Sequence, residues 1–310
     1  MDASLFTWIL ATVAGAVLFL FFYRFAFQHV ELSTTLSNRQ SLEQMNDELG
    51  ALGVSDSASK TLQFDEETSL LFSCGALGRE GQIRTTPHLL FAPPRLTGKS
   101  ITLWTEEWSF PFPIANFFYA GNPRTRIVVV YDDRSLEFVQ QLPLPRTFHF
   151  QAVHIRNLDL QELARHGSTL DSLTLVYLLP LQHPDAVLSA FPTLQPHLVE
   201  VNLVAHTLTL FPQRLSTFYA GDEMLYGMFF APEHYGCLKE AALERLRSVA
   251  SVLDQRARLL RGKVKDPFCS EQLYKVSNAL TTFIAAEEKD ALYDSMRSIQ
   301  EHNNLLKKSS

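Results

Sequence analysis

Apolar positions fall into three patterns along the chain. From Leu5 to Phe22 they form one uncharged run, LFTWILATVAGAVLFLFF, and Phe25, Ala26 and Phe27 extend it past Tyr23-Arg24. At ~1.5 Å per residue, about 20 apolar residues cross a hydrocarbon core of roughly 30 Å, so Leu5–Phe27 reads as a spanning helix. The alternative is a cleaved signal peptide, but Met1-Asp2-Ala3-Ser4 carries an acid where such a peptide carries bases. Behind the run, residues 29–61 place Leu42, Met45, Leu49 and Leu52 at helical spacing, followed by Ser55 to Lys60, whose composition is that of a linker.

Between residues 62 and 235 the pattern changes to short runs rich in Val, Ile, Leu and aromatics: Ser100 to Trp104, Ile127 to Tyr131, Phe150 to Ile155, Leu170 to Leu178, Leu198 to Val204 and Met224 to Phe230. These read as strands, with helices predicted at Ser135 to Gln141, Leu158 to Arg165 and Asp185 to Phe191. From residue 236 the period becomes helical. Leu238, Ala242, Leu246, Val249, Leu253, Ala257 and Leu260 form one stripe that Gly262 closes; a second helix follows Ser270 and a third starts at Asp290. Three amphipathic helices with short links predict a bundle.

Charge supports a division at that point. The chain carries −6 overall; residues 1–235 hold 14 basic and 23 acidic side chains, and residues 236–310 hold 13 and 10. The acidic balance argues against a nucleic-acid partner. Only Arg24 and Arg39 lie near the apolar run on its C-terminal side, which directs the bulk of the chain to the cytosol. None of the nine Asn residues begins an Asn-x-Ser/Thr acceptor, and Cys74, Cys237 and Cys269 are odd in number and widely spaced, as suits a reducing compartment.

On a Leu-x-x-Leu-x-Leu frame the six runs put Leu103, Val130, Ile155, Leu175, Leu203 and Phe229 at the last apolar position, at intervals of 27, 25, 20, 28 and 26 residues. Residues 96–231 thereby resemble a leucine-rich repeat, which implies a curved α/β solenoid. The asparagine or cysteine of that pattern is replaced by Glu106, Asp133, Leu158, Leu178, His206 and Pro232, so the resemblance implies an irregular variant. An ordinary α/β sheet with helical connections accounts for the same alternation. In the repeat register, Trp104, Tyr131, His154, Arg156, Val176 and Asn202 line the concave face and form the expected partner-binding surface.

Catalytic equipment is sparse. The glycines of Cys74 to Gly81 are three apart and match no nucleotide-binding loop, and Cys74 has no neighbouring His, which suits a buried structural thiol. No histidine pair has zinc-ligand spacing, so neither metal nor cofactor is expected. Asp132-Asp133 after a strand could be the metal-binding pair of a glycosyltransferase, although adjacent acids leaving a strand diverge.

The expectation is therefore an α/β protein in four parts: a transmembrane anchor (1–28), a juxtamembrane helix and linker (29–61), a repeat-like domain (62–235) and a three-helix bundle (236–310). Its expected role is a single-pass scaffold that holds a protein partner at an endomembrane such as the endoplasmic reticulum, with its bulk in the cytosol. A type II luminal glycosyltransferase is the alternative.

Overall fold

The computed structural model describes residues 15–24, 42–55, 57–79, 82–143, 145, 147–286 and 289–309. The chain divides into two compact units, Met1–Asp47 and Glu48–Ser310. The first contains a helix over residues 15–24 in which Val17 to Tyr23 are exposed. Among the described residues no helix is long and apolar enough to cross a membrane. This finding overturns the transmembrane anchor, and with it the single-pass and signal-anchor reading and the endomembrane location derived from it. Residues 5–14 and 25–27 of the expected span lie outside the described residues.

Among the described residues, helix α1 (residues 42–52) is followed by twelve strands in two sheets. The first sheet has the order β3-β2-β1-β5-β6-β4, with β1 (Ser57–Ser73), β2 (Ala76–Arg79), β3 (Gln82–Thr85), β4 (Leu89–Phe91), β5 (Arg95–Ser109) and β6 (Pro113–Gly121). It is antiparallel except where β4 runs parallel to β6. The stretch expected to be a linker is the start of β1, whose Ser57 to Gln63 pair with Glu106 to Ser100.

The second sheet has the order β12-β11-β10-β9-β7-β8. Its parallel part is β7 (Thr125–Tyr131), β8 (His149–His154), β9 (Ser172–Tyr177) and β10 (His197–Asn202), linked by α2 (Leu136–Gln141), α3 (Leu160–His166) and α4 (Pro184–Ser189). An antiparallel pair, β11 (Thr207–Phe211) and β12 (Leu215–Phe218), completes it. β7 and β9 read as near-continuous apolar runs because both of their faces are covered. Val128, Val130, Leu173, Leu175 and Tyr177 pack with Leu163, Val187 and Phe191 of the α3–α4 side, whereas Ile127, Val129 and Val176 face the other core.

This topology replaces the leucine-rich-repeat-like solenoid. A solenoid pairs each repeat strand with the next in parallel, whereas Ser100 to Trp104 lies in the antiparallel sheet and β8 and β9 flank β7 on opposite sides. Met224 to Phe230, expected as a strand, is helix α5 (Asp222–Phe230), with every side chain of that run buried. A short apolar run fits a buried strand or a buried helix equally well; Asp222 and Glu223, favourable at a helix start, fit the second.

The C-terminal helices are α6 (Tyr235–Arg261), α7 (Pro267–Ala285), begun by the Asp266 cap rather than after Ser270, and α8 (Lys289–Ser309). They share one core with both sheets: Trp104, Trp108, Phe117, Tyr119, Val129 and Val199 lie in the same cluster as Leu246, Leu280, Phe283, Leu292 and Ile299. Cys74, in the β1–β2 turn, is joined to Cys237 of α6 by a disulfide with Cα atoms 5.9 Å apart. Two of the cysteines expected as thiols therefore form a covalent tie across the unit. The sheets are also held by buried Asn122, whose amide nitrogen donates to Thr97 O and Asp171 Oδ2 and whose Oδ1 accepts from Arg124 N and Thr125 Oγ1.

Candidate partner-binding edge of the parallel sheet

In the chain order β7-α2-β8-α3-β9, the sheet grows first to one side of β7 and then to the other. Open α/β sheets bind ligands outside the carboxyl ends of their strands at such a reversal, which here lies between β7 and β9; the side chains described next lie at the same end of the sheet, on the β8 side of β7. β7 ends at Tyr131 and residues 132–135 turn into α2. Asp132 is used locally: Oδ1 accepts from the Arg134 and Ser135 N–H groups at 3.0 and 3.1 Å and from Ser135 Oγ at 2.9 Å. The Ser135 hydroxyl, with those backbone donors, holds the Asp132 carboxyl below the usual range.

Asp133 points elsewhere. Its Oδ1 lies 3.3 Å from His154 Nε2 and its Oδ2 3.3 Å from Arg156 Nη2. His154 Nδ1 accepts the Arg156 N–H at 3.2 Å. A nitrogen that accepts carries no proton, so in the neutral ring Nε2 bears the hydrogen and donates it to Asp133. Tyr131 and His154 are register partners on β7 and β8, and their rings meet edge to face at 5.4 Å. The side chains of Asp133 and Arg156 are 76% and 77% exposed, so their pair contributes only about 0–1 kcal/mol to folding and is available to a ligand.

Three of the six expected residues, Tyr131, His154 and Arg156, thus meet at one place. Trp104 and Val176 are in the core, out of reach of a partner. Trp104 stacks in a tilted geometry on Tyr119 and donates its indole N–H to Glu106. Asn202 shapes the β10–β11 turn by accepting from Val204 N and Ala205 N. Asp133 was not expected at a binding surface; the signal for it was its place directly beyond a strand of the parallel sheet. The two acids of the glycosyltransferase alternative engage separate partners, and among the described residues no group of three or more His, Cys, Asp or Glu could hold a metal ion.

The cluster lies at the end of β8, the outermost strand of its sheet. β8 reads HFQAVH, with His149, Gln151 and Ala152 exposed. It has no Lys, no Pro and no bulge, three of the devices by which sheet edges are shielded from further pairing.

Fold and site together define a two-sheet α/β protein with an ionic cluster at the carboxyl end of the outermost strand β8. Comparison with protein-family models, curated proteins and solved structures yields no match.

Proposed function

We propose that the chain is a protein-interaction module that captures an extended segment of a partner along β8. The backbone of the segment adds a strand to the sheet, and Tyr131, His154 and Arg156 read a side chain at the carboxyl end of β8. The observation that carries this reading is the convergence of an aromatic ring, an imidazole and an exposed guanidinium on the outermost strand of a sheet, where the Asp133–Arg156 pair contributes little to folding. Tyr and Arg suit such a role because each combines contact area with polar groups. Arg156 and His154 favour an acidic side chain, which would compete with Asp133 for the same donors.

The test is selection of linear peptides from a random display library against the full chain, followed by affinity measurement. Selected peptides should lose at least about tenfold in affinity on Arg156→Ala or Tyr131→Ala. They should fail to bind Ala152→Lys, which puts a charge on the open edge. Equal binding to all three variants would refute the proposal.

A further inference from the structure

The Cys74–Cys237 bridge forms part of the wall of a cavity of about 270 Å³, completed by Thr86, His88, Ala241 and Arg245 among others. Cys74 is exposed, whereas Cys237 is half-buried. The two sulfurs are therefore not equivalent to a molecule arriving from solvent.

Their surroundings differ as well. Cys237 is the third residue of α6, a helix of 27 residues with no acid in its first turn and no side-chain cap. The positive end of that helix is uncompensated by its own residues, and a helix N-terminus stabilises a thiolate once Cys237 Sγ has left its 3.0 Å contact with the His234 carbonyl oxygen. Arg245, two turns further on, borders the same cavity, and among the described residues no carboxylate lies within ion-pair distance of it. His88 is held below the ordinary imidazole range by burial and then by the charge of Arg245, so near neutral pH the arginine is the fixed charge at the cavity.

We propose that this bridge is a thiol-exchange site for small thiols that carry a carboxylate. The incoming thiolate attacks Cys74 Sγ, a new disulfide forms there, the Cys74–Cys237 bond breaks, and the electron pair leaves on Cys237 as a thiolate at the helix N-terminus. A second thiolate of the same class attacks the mixed disulfide, releasing the oxidised dimer of the small thiol and leaving Cys74 reduced. Two small thiols are oxidised for each bridge reduced. Arg245 supplies selectivity by drawing the carboxylate into the cavity.

The experiment uses the full chain in native buffer with two probes, glutathione, which carries carboxylates, and cysteamine, which carries an amine. After acid quench and alkylation, peptide mapping by mass spectrometry should find glutathione on Cys74 and the alkyl group on Cys237. At matched thiolate concentration glutathione should react at least about tenfold faster than cysteamine, as expected of electrostatic attraction into a cleft. Arg245→Gln should abolish that preference without changing the far-UV circular dichroism or the cysteamine rate, and Arg245→Lys should retain it. The proposal is overturned by glutathione on Cys237, by equal rates for the two probes, by a preference that survives Arg245→Gln, or by reaction only after urea has unfolded the chain.

Discussion

Replacing Cys74 and Cys237 together by serine should weaken the 48–310 unit as much as a severe core truncation, although Cys74 is exposed. The effect lies in the unfolded chain. The bridge joins residues 163 apart, and closing a loop of that length removes about 17 cal/mol/K of chain entropy, or about 5 kcal/mol at 25 °C. With a urea slope of about 3 kcal/mol/M, the unfolding midpoint should fall by about 1.7 M. The assay is urea unfolding of the full chain followed by far-UV circular dichroism, for the oxidised protein, the reduced protein and the double variant. The last two should coincide, because each lacks only the covalent tie. A shift below about 0.5 M would refute the reasoning, since the unfolded chain would then already hold the β1–β2 turn near α6.

Other perturbations test the interior. Burial pushes the Glu223 carboxyl up to about 7 from an ordinary 4.5, so the folded state holds its proton more tightly than the unfolded chain. Stability should therefore fall as pH rises from about 4.5 to about 7 and contribute no further slope above that. Glu223→Gln should match the parent near pH 4 and exceed it by up to about 3 kcal/mol at pH 8 in urea unfolding; parallel pH profiles would contradict this. A Cβ on Gly227 would lie 2.5 Å from Phe91 Cε1 inside the core, so Gly227→Ala should cost about 1–3 kcal/mol in thermal unfolding. Gly236→Ala, where nothing stands within 4 Å, should be neutral or slightly stabilising. Asp254 of α6 accepts from buried Ser277 Oγ of α7 and from Arg258. Asp254→Ala should cost about 1–3 kcal/mol by orphaning that hydroxyl, and a cycle with Ser277→Ala should recover part of the loss.

The helical segments were the most legible in the sequence. Leu238, Ala242 and Leu246 are buried as their spacing implies, because a helix repeats its buried face every three or four residues. β7 to β10 were legible as strands but not as a sheet, since an apolar run covered on both faces does not encode its neighbours. β1 was illegible for the opposite reason. Its first seven residues, SASKTLQ, bury only Leu62 and look like a linker, yet β5 supplies their hydrogen-bond partners. A single frame laid over all six runs grouped Trp104 with Tyr131, although they belong to different sheets. It grouped Tyr131 with His154 and Arg156 usefully because β7 and β8 are parallel and in register. The Cys74–Cys237 pairing left no local signature, since nothing near either cysteine specifies a partner 163 residues away.

The core shared by the sheets and the late helices bears on how the protein is made. Ile127 and Val129 leave the ribosome long before Phe283, Leu292 and Ile299, which occupy the same core. At a synthesis rate of about 5–20 residues per second, the interval between Ile127 and Ile299 is roughly 9 to 35 s. For that time the shared core lacks its last residues, whereas hydrophobic collapse is complete within about 100 μs. The shared core is therefore completed only once the last helices have been made.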